Sequence, residues 1–274
     1  MPENFLIVHD FSLPQILVSE KDFLIVFKPP RMHSAPQAGS HGETLFGWCY
    51  TQFPGIAALP GRRAGEGGLL HRLDYETQGL MLIARNKPGM DALLEQQRNG
   101  KIIKEYSAIS VESKVSLSGF PNERPELPQG FLEGKRTTGE SFRIKSAFRP
   151  YGQGRIVVRP VIFDPAGGES RTEKKRRKEI ALDGEKQKPY VTEIFEGRSP
   201  GSGFVSMRIR IFKGFRHQIR SHLAWLGLPI VNDSLYGGSS FGDGLLALRA
   251  CSLSFCDPST ERERRYSIQP LAMV

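Results

Sequence analysis

Hydrophobic and polar positions alternate most cleanly over FVSMRIRIF, residues 204–212. Val205, Met207, Ile209 and Ile211 fall on one side, with Ser206, Arg208 and Arg210 on the other. That period of two predicts a strand with one basic face. Two shorter runs, KDFLIVFK at 21–28 and GLMLIA at 79–84, are continuously apolar and read as buried strands. KIIKEYSAIS at 101–110 is a further strand, expected to place Ile102, Tyr106 and Ala108 on one face, and GRIVVRPVIF and KPYVTEIFE supply two more. Helical spacing is scarcer. Asn86 is a natural cap for a helix carrying Met90, Leu93 and Leu94 on one side and ending at Asn99-Gly100. GETLFGWC offers a turn or two of helix. In FRHQIRSHLAWLG, Ile219, Leu223 and Leu226 recur at helical spacing up to Gly227, with Arg216 and Arg220 one turn apart on a single face. Many strands and few helices predict an α+β fold, a mixed and mainly antiparallel sheet with helices and loops at its sides.

No repeat or composition break marks a second domain, so the expectation is one catalytic-sized domain over 1–274. It has a short N-terminal extension (about 1–20) and two loop-like insertions, 112–140 and 171–188. The first insertion has four Gly, three Pro and little periodicity. The second, RTEKKRRKEIALDGEKQK, holds eight basic and four acidic side chains, with Lys174, Lys175, Arg176 and Arg177 in a row. It reads either as a solvated loop or as an arm that contacts phosphates. The whole chain has 38 Lys and Arg against 29 Asp and Glu, a net +9, which makes a polyanion such as RNA the expected partner.

Three cysteines without a CxxC pair read as free thiols in a reducing, cytoplasmic setting. The N-terminal stretch lacks the pattern of a secretory leader, and no apolar run is long enough to span a membrane. Cys and His spacings offer no zinc site, and the glycines form neither GxGxxG nor GxxxxGK[ST]. GxSxG and HExxH are missing too. Neither a nucleotide cofactor nor a metal is expected. In HRLDYETQGLMLIA, residues 71–84, Asp74 stands between Arg72 and an apolar run. It is either a turn residue or a charge held for chemistry.

Four segments in order carry a resemblance: FKPPRMHSAP (27–36), HRLDYETQGLMLIA (71–84), KEYSAIS with Tyr106, and GFRHQIRSHLAWLGLPIVNDSLYG (214–237). Together they resemble the motifs of RluA-type pseudouridine synthases, which isomerise uridine in RNA without a cofactor. The resemblance implies that Asp74 is the catalytic aspartate, that Tyr106 packs on the target uracil, and that Arg220 pairs with the aspartate. It places Arg72 on the RNA side of the flipped nucleotide. Arg216 is a further RNA contact, and the partner is ribosomal or transfer RNA, bound by a monomer. The expected chemistry cleaves the glycosidic bond, rotates the base and rejoins C5 to C1′.

Some positions depart from the pattern. Thr77-Gln78-Gly79 stands where Thr-Ser-Gly is common, and Gly214-Phe215-Arg216 where an arginine more often follows the glycine directly. About twenty residues precede the first motif, too few for the S4-type RNA-binding domain that many relatives carry. The alternative is a catalytically inactive RNA-binding or ribosome-associated protein of the same fold. Intact Asp74, Tyr106 and Arg220 argue against it.

Overall fold

The two continuous apolar runs become adjacent strands in which every residue is buried, β3 (Phe23–Lys28) and β4 (Gln78–Ala84). Their burial on both faces explains the missing alternation: Leu24, Val26, Met81 and Ile83 enter one hydrophobic cluster, and Phe23, Ile25, Phe27, Leu80 and Leu82 the other. The computed structural model describes residues 3–36, 43–61, 66–114, 117–133, 141–162, 189–199 and 203–272. Within them, β1 (Glu3–Phe5), β2 (Gln15–Ser19), β5 (Ile103–Val111), β6 (Phe142–Tyr151), β7 (Val157–Val161), β8 (Tyr190–Arg198), β9 (Phe204–Ile211), β10 (Leu248–Cys256) and β11 (Glu263–Ser267) complete an eleven-stranded sheet. Its order is β2-β3-β4-β10-β5-β9-β8-β6-β7, with β1 and β11 joined beside the far part of β10.

Nearly all pairings are antiparallel; β4–β10 and β1–β11 are parallel. The sheet is therefore mixed and mainly antiparallel, as the periodicities predict. Where β4 meets β10 the two backbones come very close. Gly79, at φ +129, faces Ala250, and a Cβ there would collide with the Ala250 backbone. Among the described residues three α-helices flank the sheet: α1 (Leu45–Gln52), α2 (Lys87–Arg98) and α3 (Gln218–Leu226). Asn86 caps α2 as expected, its side chain accepting from the Gly89 amide at 2.8 Å. Gly227, in the left-handed conformation, ends α3.

Three local expectations are corrected. Arg216 and Arg220 do not share a helix face, because His217 sits at φ 54 and ψ 20 and α3 begins only at Gln218. The polar side of β9 is not a bare basic face: buried Glu105 takes Arg210 at 2.8 Å, Arg265 at 2.8 Å and Arg208 at 3.8 Å. Ile102 precedes β5 and packs in the opposite cluster from Tyr106 and Ala108. Of the first loop-like insertion, residues 117–133 form turns without helix or strand. Trp225 Nε1 donates to the Glu123 carbonyl and Arg124 Nε to the Leu226 carbonyl, tying this segment to the end of α3. The second insertion, with Lys174, Lys175, Arg176 and Arg177, lies outside the described residues.

Candidate active site

Asp74 is a turn residue whose side chain also faces Arg220 and His217. Its carbonyl accepts from the Thr77 amide at 3.1 Å, closing a tight turn before β4. Its side chain, 24% exposed, lies with Oδ2 3.8 Å from Arg220 Nη1 and Oδ1 4.0 Å from His217 Nε2. The turn is fixed from beneath. Ser34 Oγ donates to the Leu73 carbonyl and accepts from the Leu73 amide, at 2.8 and 3.0 Å. Lys28, fully buried at the end of β3, donates its ammonium to the carbonyls of Pro29, Met32 and Tyr75 at 2.8, 2.7 and 3.2 Å. Burial pulls the Lys28 pKa down to about 7, against the charges of Asp74 and Glu76.

Arg220 comes from the first turn of α3 and faces Asp74, but its principal partner is another carboxylate. Nε and Nη2 donate to the two oxygens of Asp233, both at 2.7 Å, in a fully buried bidentate pair. That leaves Nη1 for Asp74. Burial opposes the guanidinium charge, but the Asp233 hydrogen bonds and charge, with Asp74 behind them, override it and hold the Arg220 pKa above its ordinary value. Arg220 therefore stays cationic and correctly oriented whether or not the Asp74 charge is shielded.

Tyr106 stands at mid-strand in β5, 5% exposed, on the face that carries the first hydrophobic cluster. Burial, reinforced by the Asp74 charge and by Cys251, pushes its phenol well above the usual range. A neutral ring suits packing against a base better than it suits proton abstraction. His217 closes the remaining side, with Nδ1 3.1 Å from the Tyr236 hydroxyl. Burial lowers its pKa although Asp74 opposes this; Arg220 and Arg216 reinforce the lowering, and Asp233 opposes it. Tyr236 itself exchanges hydrogen bonds with the Val158 backbone and lies under the Arg220 guanidinium. Asp74, Tyr106 and Arg220 are thus brought together from three distant parts of the chain.

The two arginines expected at the RNA side lie outside this cluster. Arg72 is 46% exposed and pairs with Glu66 at 2.9 Å. Arg216 is exposed and donates to the Arg155 carbonyl at 2.6 Å, at the tip of the β6–β7 hairpin. Sequence reasoning missed Lys28, Asp233, His217 and Tyr236 as members of the site. Lys28 was signalled by its place in the 27–36 motif and as a charge closing an otherwise apolar strand, and Asp233 as a carboxylate thirteen residues beyond Arg220 in the same motif. Among the described residues no three His, Cys, Asp or Glu side chains are grouped to hold a metal ion. No helix among them is long and apolar enough to cross a membrane.

This arrangement, an ionisable carboxylate beside a fixed guanidinium and a buried tyrosine, coincides with a family match. The model of the RNA pseudouridylate synthases matches residues 22–225. The chain belongs to that family. Among curated proteins, the ribosomal large subunit pseudouridine synthase D of Haemophilus ducreyi is 25% identical over 228 residues, which is 83% of this chain and 54% of that protein. The Escherichia coli protein of the same name is 25% identical over 223 residues, 81% of this chain and 52% of the relative. The chain thus spans about half the length of the curated relatives it matches. Two solved human structures share the fold. RNA Pseudouridylate Synthase Domain Containing 1 superposes with a TM-score of 0.56 at 19% identity, covering 97% of this chain and 86% of that one. RNA Pseudouridylate Synthase Domain Containing 4 gives 0.55 at 20% identity, covering 93% and 88%.

Proposed function

We propose that the chain isomerises uridine to pseudouridine in RNA, with Asp74 as the catalytic carboxylate, Arg220 as its orienting counter-charge and Tyr106 as the surface against which the uracil turns. The observation that carries this reading is the partly exposed Asp74 carboxylate set 3.8 Å from a buried arginine that a second carboxylate already holds in place. In the reaction the N1–C1′ bond breaks and C5–C1′ forms. The C5 proton is lost and N1 gains one, so the step is an isomerisation with no net change of oxidation state. Ionised Asp74 acts at the sugar, either adding to C1′ or drawing a ribose proton to give a glycal. Arg220 stabilises the anion, and neutral Tyr106 confines the freed base without directional demand.

To reach the carboxylate the nucleotide must leave its stack, which costs least in an unpaired loop. In this reading Arg72 and Arg216, both exposed, meet the displaced backbone. Large-subunit ribosomal RNA is the first substrate to test, because the curated relatives are named for it. The direct experiment treats RNA from cells with and without the gene with a carbodiimide that marks pseudouridine, and reads it by primer extension. A stop that disappears with the gene, and returns with the wild-type chain but not with Asp74→Asn, is expected. A stop restored by Asp74→Asn would overturn the assignment.

A further inference from the structure

The residue after Asp74 is the more exposed of the two. Tyr75 is 43% exposed although its backbone is tied down, with its carbonyl on the buried Lys28 ammonium and Leu73, two residues earlier, doubly bonded to Ser34. The ring has a backing: the His33 imidazole lies 4.6 Å from it, centroid to centroid, tilted by 40°. His33 is itself carried by the segment that Ser34 and Lys28 tie to the Asp74 turn, so the two rings move with that turn. Isolated exposed aromatics are ordinary on protein surfaces. Here the exposed ring is backed by His33 and next in sequence to the candidate catalytic carboxylate, with two exposed arginines on adjoining stretches of chain. Arg31, 58% exposed, lies 3.9 Å from Glu76, and Arg72 stands two residues before Asp74.

An aromatic face with guanidinium groups around it is the chemistry that holds single-stranded nucleic acid: bases stack on the ring while the cations meet phosphates. Tyr75 adjoins Asp74 in the chain, so the nucleotide next to one whose sugar is at Asp74 is the one that Tyr75 would meet.

We propose that Tyr75, backed by His33, is a stacking platform for an unpaired RNA base next to the nucleotide held at Asp74. The inference rests on the reading of Asp74 as the uridine site. It makes the enzyme a reader of single-stranded context, tolerant of base identity because every base offers a flat face. Flanking duplex would keep the neighbouring base in its own stack and leave the platform empty.

The test uses the full chain and single-stranded RNA oligomers in which 2-aminopurine adjoins a single uridine. Binding should quench the aminopurine in wild-type, Tyr75→Phe and Tyr75→Trp proteins. Tyr75→Leu should lose the quench and bind on the order of tenfold more weakly, in line with the loss of one base–aromatic stack. His33→Leu should give a smaller loss in the same direction. With a substrate RNA, the Tyr75→Leu defect should fall on KM more than on kcat. Tyr75→Leu that binds and quenches like wild type would overturn the platform even where pseudouridine forms normally. A Tyr75-dependent quench in a wild-type chain that forms no pseudouridine would support the platform while the catalytic reading failed.

Discussion

Removing the charge of Asp233 should cost stability and activity through separable routes. Asp233 is fully buried and Arg220 nearly so, and their two hydrogen bonds are both 2.7 Å, so solvent screens the pair very little. Asp233→Asn keeps the shape but leaves a buried guanidinium whose other carboxylate neighbour among the described residues is Asp74 at 3.8 Å. Breaking a buried pair by removing one partner typically costs about 3–5 kcal/mol, because the remaining charge is left uncompensated. In a chain of this size about 3 kcal/mol lowers Tm by roughly 6–12 °C. Replacing both members by apolar side chains, Arg220→Met with Asp233→Leu, should return stability to within about 2 kcal/mol of wild type. That double variant should nevertheless form no pseudouridine, since Asp74 then faces no fixed cation. Urea and thermal unfolding give the first quantity, and carbodiimide primer extension the second. A loss below about 1 kcal/mol in Asp233→Asn would refute the claim that the pair is buried and uncompensated. Activity in the stable double variant would refute the role of Arg220.

Buried His222, bonded to Thr192 and Ser146 at 2.7 and 2.8 Å, has its pKa driven down to about 3 by burial. Between that value and the ordinary 6.5 the unfolded chain binds the extra proton, so stability should fall on acidification through this window, with a slope of up to about 1.4 kcal/mol per pH unit. His222→Gln should flatten that limb of the stability–pH curve, and an unchanged limb would show the histidine to be protonated when folded. Tyr106→Phe should keep much more activity than Tyr106→Leu, measured as initial rate on a common RNA; equal rates for the two would remove the packing role. Neutralising Lys174, Lys175, Arg176 and Arg177 together should weaken all RNA alike and reduce the salt slope of log K by about 0.7–0.9 for each phosphate that the segment neutralises. An affinity and slope identical to wild type would return that segment to ordinary surface.

What could be read from the chain depended on whether a residue's surroundings were local. Strand β9 was legible because one face meets the core and the other does not, and α2 because Asn86 is a sufficient cap by itself. Strand β6 escaped: its inward positions include Ser146, a polar residue buried because His222 lies across from it, so the alternation is broken by a non-local bond. The start of α3 was misplaced by a turn because a histidine, not a glycine, adopts the left-handed conformation at 217. Asp74, Tyr106 and Arg220 stood out through family resemblance, whereas local features alone left Asp74 open between a turn residue and a catalytic charge. The pairing of Arg220 with Asp233 depends on how the chain returns after α3, which no periodicity encodes.

The position of β10 has a consequence for how the catalytic cluster comes into being. Strands β4 and β5 are neighbours in sequence yet do not touch; β10, from near the end of the chain, lies between them and pairs with both. Asp74 belongs to the β4 side of this seam, and Tyr106 and Arg220 to the other. The closure that unites them has a long sequence separation, with Arg249 registered on Gln78 and Ala250 on Tyr106, which places it late among folding events. During synthesis the two halves can each begin to pair while the central slot stays empty, its edges exposed to other chains. A polypeptide cut just before Leu248 retains every one of these side chains and lacks the strand that sets them face to face.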